Sequence, residues 1–194
     1  MEVCRDFQGR TEQLAALDQA LRSADQGRSQ VVLVTGEAGI GKSRLVEHWL
    51  ARTRPRAVLR AVADPDDRLV ELATVDQLLD RSPGRSRSLF DVGVALLAAF
   101  EDTQGASRAG VVLVDDLHWA DAASLTALGF AARRLRHDRV LVVCTARERE
   151  LPAAAAGLTR LAVDPTGTHL RVDGLTLRQT ATSRWRSWAG GSTR

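Results

Sequence analysis

No apolar run in this 194-residue chain approaches the roughly 20 residues a membrane-spanning helix needs, so no transmembrane segment is expected. The opening residues MEVCRDFQGR lack the apolar stretch of a signal peptide, and a cytoplasmic chain is the reading that follows. Cysteine is scarce. Cys4 and Cys144 form no metal-ligand spacing, and Cys144 sits in an apolar strand pattern, as a small buried hydrophobe would. Lysine is scarcer still, with Lys42 the only one among 27 basic residues. The arginines that make up the rest are spread along the chain, so the net charge of +3 does not indicate a nucleic-acid-binding face. There is no internal repeat.

What is present is the composition of one globular domain with a substantial core: 44% hydrophobic and 26% charged residues. Short apolar runs alternate with helical patterns. Residues 11–24 place Leu14, Leu17 and Leu21 at helical spacing, and residues 30–35 (QVVLVT) read as a buried strand. A helix is expected over 43–53, with Leu45, Val46, Trp49 and Leu50 on one side and Pro55 as its stop. Strands follow at 57–64, 111–114, 139–146 and, more weakly, 168–175. Helices are expected over 69–81 and 88–102, separated by a loop at 82–87. Another is expected after Asp121, which can cap it, with Leu125, Leu128 and Leu135 as its apolar stripe. This alternation predicts an α/β fold with a parallel sheet covered on both faces, whose ligands bind at the carboxyl ends of the strands.

Two motifs fall at that edge. The first is GEAGIGKS, comprising Gly36, Glu37, Ala38, Gly39, Ile40, Gly41, Lys42 and Ser43. Glycines at this spacing let successive backbone N–H groups turn inward on a polyphosphate, and the following helix presents its positive end to the same anion. Lys42 is placed to reach the β- and γ-phosphates of a nucleotide, and the Ser43 hydroxyl to ligate Mg²⁺. The second motif is VVLVDDLHWAD, residues 111–121, where two carboxylates end an apolar strand. Such a pair is costly without a cation. Asp115 is the candidate for the metal side, leaving Asp116 to orient or deprotonate an attacking water, although either could face the metal. His118 could touch that water or make a structural hydrogen bond, and Trp119 reads as packing. His48, His137 and His169 receive no role.

The segments GEAGIGKSRL and VVLVDDLHWAD, with a following helix that begins AASL, resemble the ATPase module of the large LuxR-type transcriptional regulators. These belong to the signal-transduction ATPases with numerous domains, relatives of the AAA-type ATPases. FQGRTEQLAAL resembles the family's amino-terminal Gly-Arg box, with Phe7, Gly9 and Arg10 in place and Gln13 where a glutamate is usual. VLVVCTARERE resembles the strand that carries the sensor residue, matched by Thr145 and Arg147.

The resemblance spans roughly residues 5–175 and implies a P-loop NTPase three-layer sandwich with sheet order 5-1-4-3-2. It implies ATP and Mg²⁺ as cofactors, held by the loop through Arg44 and by Gly9 and Arg10 near the base. It also implies Lys42, Asp116 and Arg147 as catalytic groups, Ser43 and Asp115 as metal ligands, and a slow ATPase that serves as a regulatory switch. Protein partners or self-association through the core would follow. Family members continue into a helical lid and a carboxyl-terminal helix-turn-helix. Residues 176–194 show neither pattern and are expected to form a tail, so no DNA-binding motif is carried over.

Overall fold

Residues 9–80, 88–135 and 137–174 are described by the computed structural model. Five apolar runs form five parallel strands: β1 (Gln30–Gly36), β2 (Val58–Val62), β3 (Gly110–Asp115), β4 (Val140–Ala146) and β5 (Gly167–Val172). They hydrogen-bond in the order β2-β3-β4-β1-β5, the order expected of a P-loop NTPase. Every residue of β3 and β4 is buried, which is why these strands read as unbroken Val/Leu runs. At the sheet edges β2 and β5 are only partly covered, and their sequences carry arginines.

Side chains leave a strand alternately to its two faces, so one strand feeds two cores. Val112 and Val114 of β3 and Val142 and Cys144 of β4 join one cluster. There they pack with residues of helices α3 (Ala73–Leu79), α4 (Leu89–Asp102), α5 (Ala122–Ala132) and α6 (Ala156–Val163). Their neighbours Val111, Leu113, Leu141 and Val143 face the other way, onto Leu17 of α1 (Thr11–Asp25) and Leu45, Val46 and Trp49 of α2 (Lys42–Thr53). Trp49 is fully buried and donates its indole N–H to Asp18 at 3.0 Å, which Arg52 also holds. α2 stops at Thr53, with Arg54 left-handed at φ 46° ahead of Pro55.

Two expectations need correction. The helix expected over 69–81 is shortened to α3, and a separate 3-10 helix, Pro65–Leu69, overlaps only the first residue of the expected span. Asp64 and Asp67 close a capping box at the 3-10 helix, with Pro65 at its start. Leu72 then turns left-handed at φ 65°, and its N–H donates to Asp121 Oδ1 at 2.9 Å. A distant carboxylate thus interrupts a locally favourable helix. The second correction is α6, for which the sequence reading assigned no element. It lies between β4 and β5 and packs on α5, β1 and β5. Arg81, the loop at 82–87 and the tail at 176–194 lie outside the described residues.

Candidate functional site

The glycine loop leaves β1 and turns into α2 at the carboxyl edge of the sheet. Gly36 is required there, because a Cβ would come within 2.4 Å of the Val172 carbonyl oxygen on neighbouring β5. Gly41 precedes the helix at φ 95°, a conformation open to glycine, and leaves the first N–H groups of α2 without intrahelical partners. The Lys42 ammonium is buried and donates to the loop's own carbonyls, Gly36 O at 3.1 Å and Glu37 O at 2.9 Å. Burial pushes its pKa below the ordinary lysine value, opposed mainly by the negative charge of Asp116.

A second set of contacts joins this loop to the aspartate pair. Ser43 Oγ donates to Asp115 Oδ1 at 2.9 Å, and the Thr145 hydroxyl donates to the same oxygen. Thr145 Oγ1 in turn accepts the N–H of Asp116 at 2.9 Å. Residues from α2, β3 and β4, far apart in sequence, thereby meet around one carboxylate. Asp116 sits just past the strand in a left-handed conformation, φ 54°, and its half-exposed side chain lies 3.8 Å from the His118 imidazole. Aspartate is among the few residues that tolerate this conformation.

Arg147 follows β4 and borders the loop across a cleft of about 330 Å³, lined also by Gly36, Ala38, Ile40 and Glu150. Its guanidinium donates to both Glu150 oxygens, at 3.1 and 3.2 Å, and its Cζ lies 5.7 Å from the Trp119 ring centre. His118 is fully buried behind it. Burial lowers the His118 pKa first of all, while Asp116 opposes that shift. On the far side of the loop, Arg10 is buried and donates to Asp173 O at 2.6 Å and Ile40 O at 3.3 Å. It thus ties α1 to both the loop and the end of β5. A second cleft of about 380 Å³, lined by Gly9, Arg10, Glu12 and Asp173, opens beside it.

The geometry therefore gathers Lys42, Ser43, Asp115, Asp116, Thr145 and Arg147 at one edge, with Gly9 and Arg10 adjacent. Arg44 is exposed on the first turn of α2, next to Ser43. Phe7 lies outside the described residues. Glu150 and Arg68 were not singled out from sequence. Glu150 lies in the charged run RERE just past β4, at the carboxyl edge, and that position was the available signal.

The donor set around Asp115 is hydroxyl and carboxylate oxygen, which suits a hard cation such as Mg²⁺. Among the described residues no group of three or more His, Cys, Asp or Glu could hold a metal unaided. Such an ion therefore needs further oxygens from a ligand, as Mg²⁺ bound with a polyphosphate has. Also among the described residues, no helix is long and apolar enough to cross a membrane.

Strand–glycine loop–helix on this sheet order defines a P-loop NTPase. More narrowly, the chain belongs to the AAA ATPase domain family, whose sequence model matches residues 6–143. A relative in Rhizobium meliloti (strain 1021), itself uncharacterized, is 30% identical over 206 aligned residues. The match covers 80% of this chain but 20% of that protein, so the chain spans about a fifth of its relative's length. Among solved structures, Cdc6p from Pyrobaculum aerophilum aligns with a TM-score of 0.58 at 16% identity, over 88% of this chain and 47% of that one. The ORC2 protein of Aeropyrum pernix, solved in ADPNP and ADP complexes, gives 0.54 at 16% identity, over 90% and 50%. A Drosophila ORC chain bound to DNA gives 0.53 at 12% identity, over 88% and 96%. At these identities the likeness is one of fold.

Proposed function

We propose that this chain is the Mg-ATP-binding switch of a regulatory assembly of the LuxR-type transcriptional regulator kind, with slow ATP hydrolysis. The observation that carries the reading is the meeting of Ser43, Thr145 and Asp116 around Asp115, beside the loop that holds Lys42. Polyphosphate oxygens would replace the loop carbonyls as acceptors for Lys42. Ser43 and Asp115 would hold Mg²⁺, which supplies charge neutralisation at the phosphates. Asp116, half-exposed beside them, is left to accept a proton from water. Arg10, against the second cleft, would set the base end, and ATP is preferred over other nucleotides on the resemblance alone.

ATP and Mg²⁺ at about 100 times the dissociation constant should stabilise the fold by roughly 2.7 kcal/mol, or about 5–10 °C in melting temperature. Lys42→Ala should remove most of that shift, and an unshifted wild type would defeat the proposal. Asp116→Asn keeps a side chain that tolerates the left-handed backbone, so it should bind ATP while phosphate release falls.

A second reading is favoured by the engagement of Arg147 with Glu150, which leaves its charge already paired. In that reading the chain is a nucleotide-binding interaction module that turns over only when a partner supplies a lid and a free arginine. Phosphate release that appears only on mixing with a lid-containing homologue would distinguish it.

A further inference from the structure

His118 and Trp119, next to the aspartate pair, have no part in the chemistry above. His118 is 0% exposed. Its Nδ1 accepts the backbone N–H of Arg147 at 3.4 Å, which places the ring proton on Nε2. That Nε2 has no hydrogen-bond partner and stands 3.8 Å from Glu150 Oε2. A buried donor left unpaired costs stability, and leucine would fill the same volume without it. Packing alone does not account for the histidine.

The Trp119 ring lies 4.9 Å from that of His118. Two guanidinium carbons approach its centre, Arg147 at 5.7 Å and Arg68 at 4.6 Å. Arg68 also donates to the His118 carbonyl at 2.8 Å, which ties the segment after β2 to the 3-10 turn Leu117–Trp119. The backbone of Arg147 is thus held by the imidazole and its side chain by the indole, both from the turn that follows Asp116. Arg147 can exchange Glu150 for an anion in the cleft without moving its backbone.

We propose that His118 and Trp119 are positioning residues for Arg147, holding it so that its guanidinium reads the terminal phosphate of the nucleotide. This rests on the nucleotide-binding reading above. Arg68 extends the same stack to the exposed segment between β2 and α3, where Leu69 is 93% exposed.

The test compares equilibrium binding of Mg-ATP and Mg-ADP by the full chain and its variants, with amide hydrogen exchange at Arg147 read separately. Arg147→Ala should weaken ATP binding at least about tenfold while ADP binding stays within about twofold. His118→Leu and Trp119→Leu should shift the same preference in the same direction. His118→Asn, whose amide oxygen stands near the place of Nδ1, and Trp119→Phe should retain it. The double variant His118→Leu/Arg147→Ala should be no weaker for ATP than Arg147→Ala alone.

Amide exchange reads the link without nucleotide: Arg147 should be protected in the wild type and His118→Asn, and exposed in His118→Leu. Equal losses for ATP and ADP, no rescue by asparagine, or unchanged protection in His118→Leu would each overturn the assignment. Should His118→Leu fail to fold, His118→Asn and the Trp119 pair carry the same comparison. A wild type that binds neither nucleotide overturns the proposed function and this role with it. A wild type that prefers ATP regardless of position 118 overturns only this one.

Discussion

Replacing Thr145 by valine keeps the shape of a fully buried side chain and removes one hydroxyl. In the native protein that hydroxyl donates to Asp115 and accepts from the N–H of Asp116. Loss of a hydrogen bond to a charged group costs about 1.5–3 kcal/mol, and an orphaned buried donor about 1–3 kcal/mol. The Asp116 N–H is only partly buried and water can reach part of the site, so the two costs overlap, and a total of roughly 2–4 kcal/mol is expected. For a domain of this size that lowers the melting temperature by roughly 4–16 °C. Thr145→Ser keeps the hydroxyl and loses one methyl, so it should cost about 1 kcal/mol. The assay is thermal and urea unfolding of all three proteins without nucleotide. Valine and serine variants of equal stability would show that the hydroxyl does not hold the aspartate pair, and the bridging role would fall. A valine variant that unfolds early but keeps wild-type ATP binding would place the bridge in folding alone.

Three more outcomes are open to test. The His118 pKa is lowered in the fold, so its neutral form contributes stability that is fully present above the unfolded value near 6.5 and lost as pH falls below it. His118→Asn should therefore flatten the loss of stability as pH falls below about 6.5, and an unchanged profile would mean another group titrates there. Gly110→Ala puts a Cβ 2.2 Å from the Thr103 Cβ and 2.8 Å from its carbonyl carbon, at the start of a central strand. It should destabilise by about 3 kcal/mol, read by urea unfolding, and a neutral result would show that the α4–β3 corner yields easily. Burial pushes the Cys144 thiol up to about 12, so a thiol reagent should label it only after denaturant is added.

Much of the fold was legible in the sequence for a local reason. The residues of β3 and β4 are buried on both faces, so Val111–Val114 and Val140–Val143 are unbroken apolar runs that stand out, and polar side chains enter only at the carboxyl ends, as Asp115 and Thr145. The glycine loop was legible because a polyphosphate cradle needs backbone that other residues cannot adopt. α6 went unread: its alanine-rich start carries little periodic signal, and its burial depends on α5 and β5 being in place. The break at Leu72 escaped for a related reason. Its cause is Asp121, 49 positions away, and no local preference announces it.

The site divides along the same line. Sequence alone determined the chemistry on offer: one lysine in a glycine loop, a hydroxyl beside it, and two carboxylates at a strand end. Those follow from residue type and short spacing. Only the tertiary structure decided which groups meet: Ser43 with Asp115 across 72 positions, and Arg10 with Asp173 across 163. It also decided that Thr145 joins both aspartates and that Arg147 rests on His118, Trp119 and Glu150. A hydrogen bond acts over about 3 Å, and only the parallel sheet, by aligning the carboxyl ends of its strands, brings such distant residues that close.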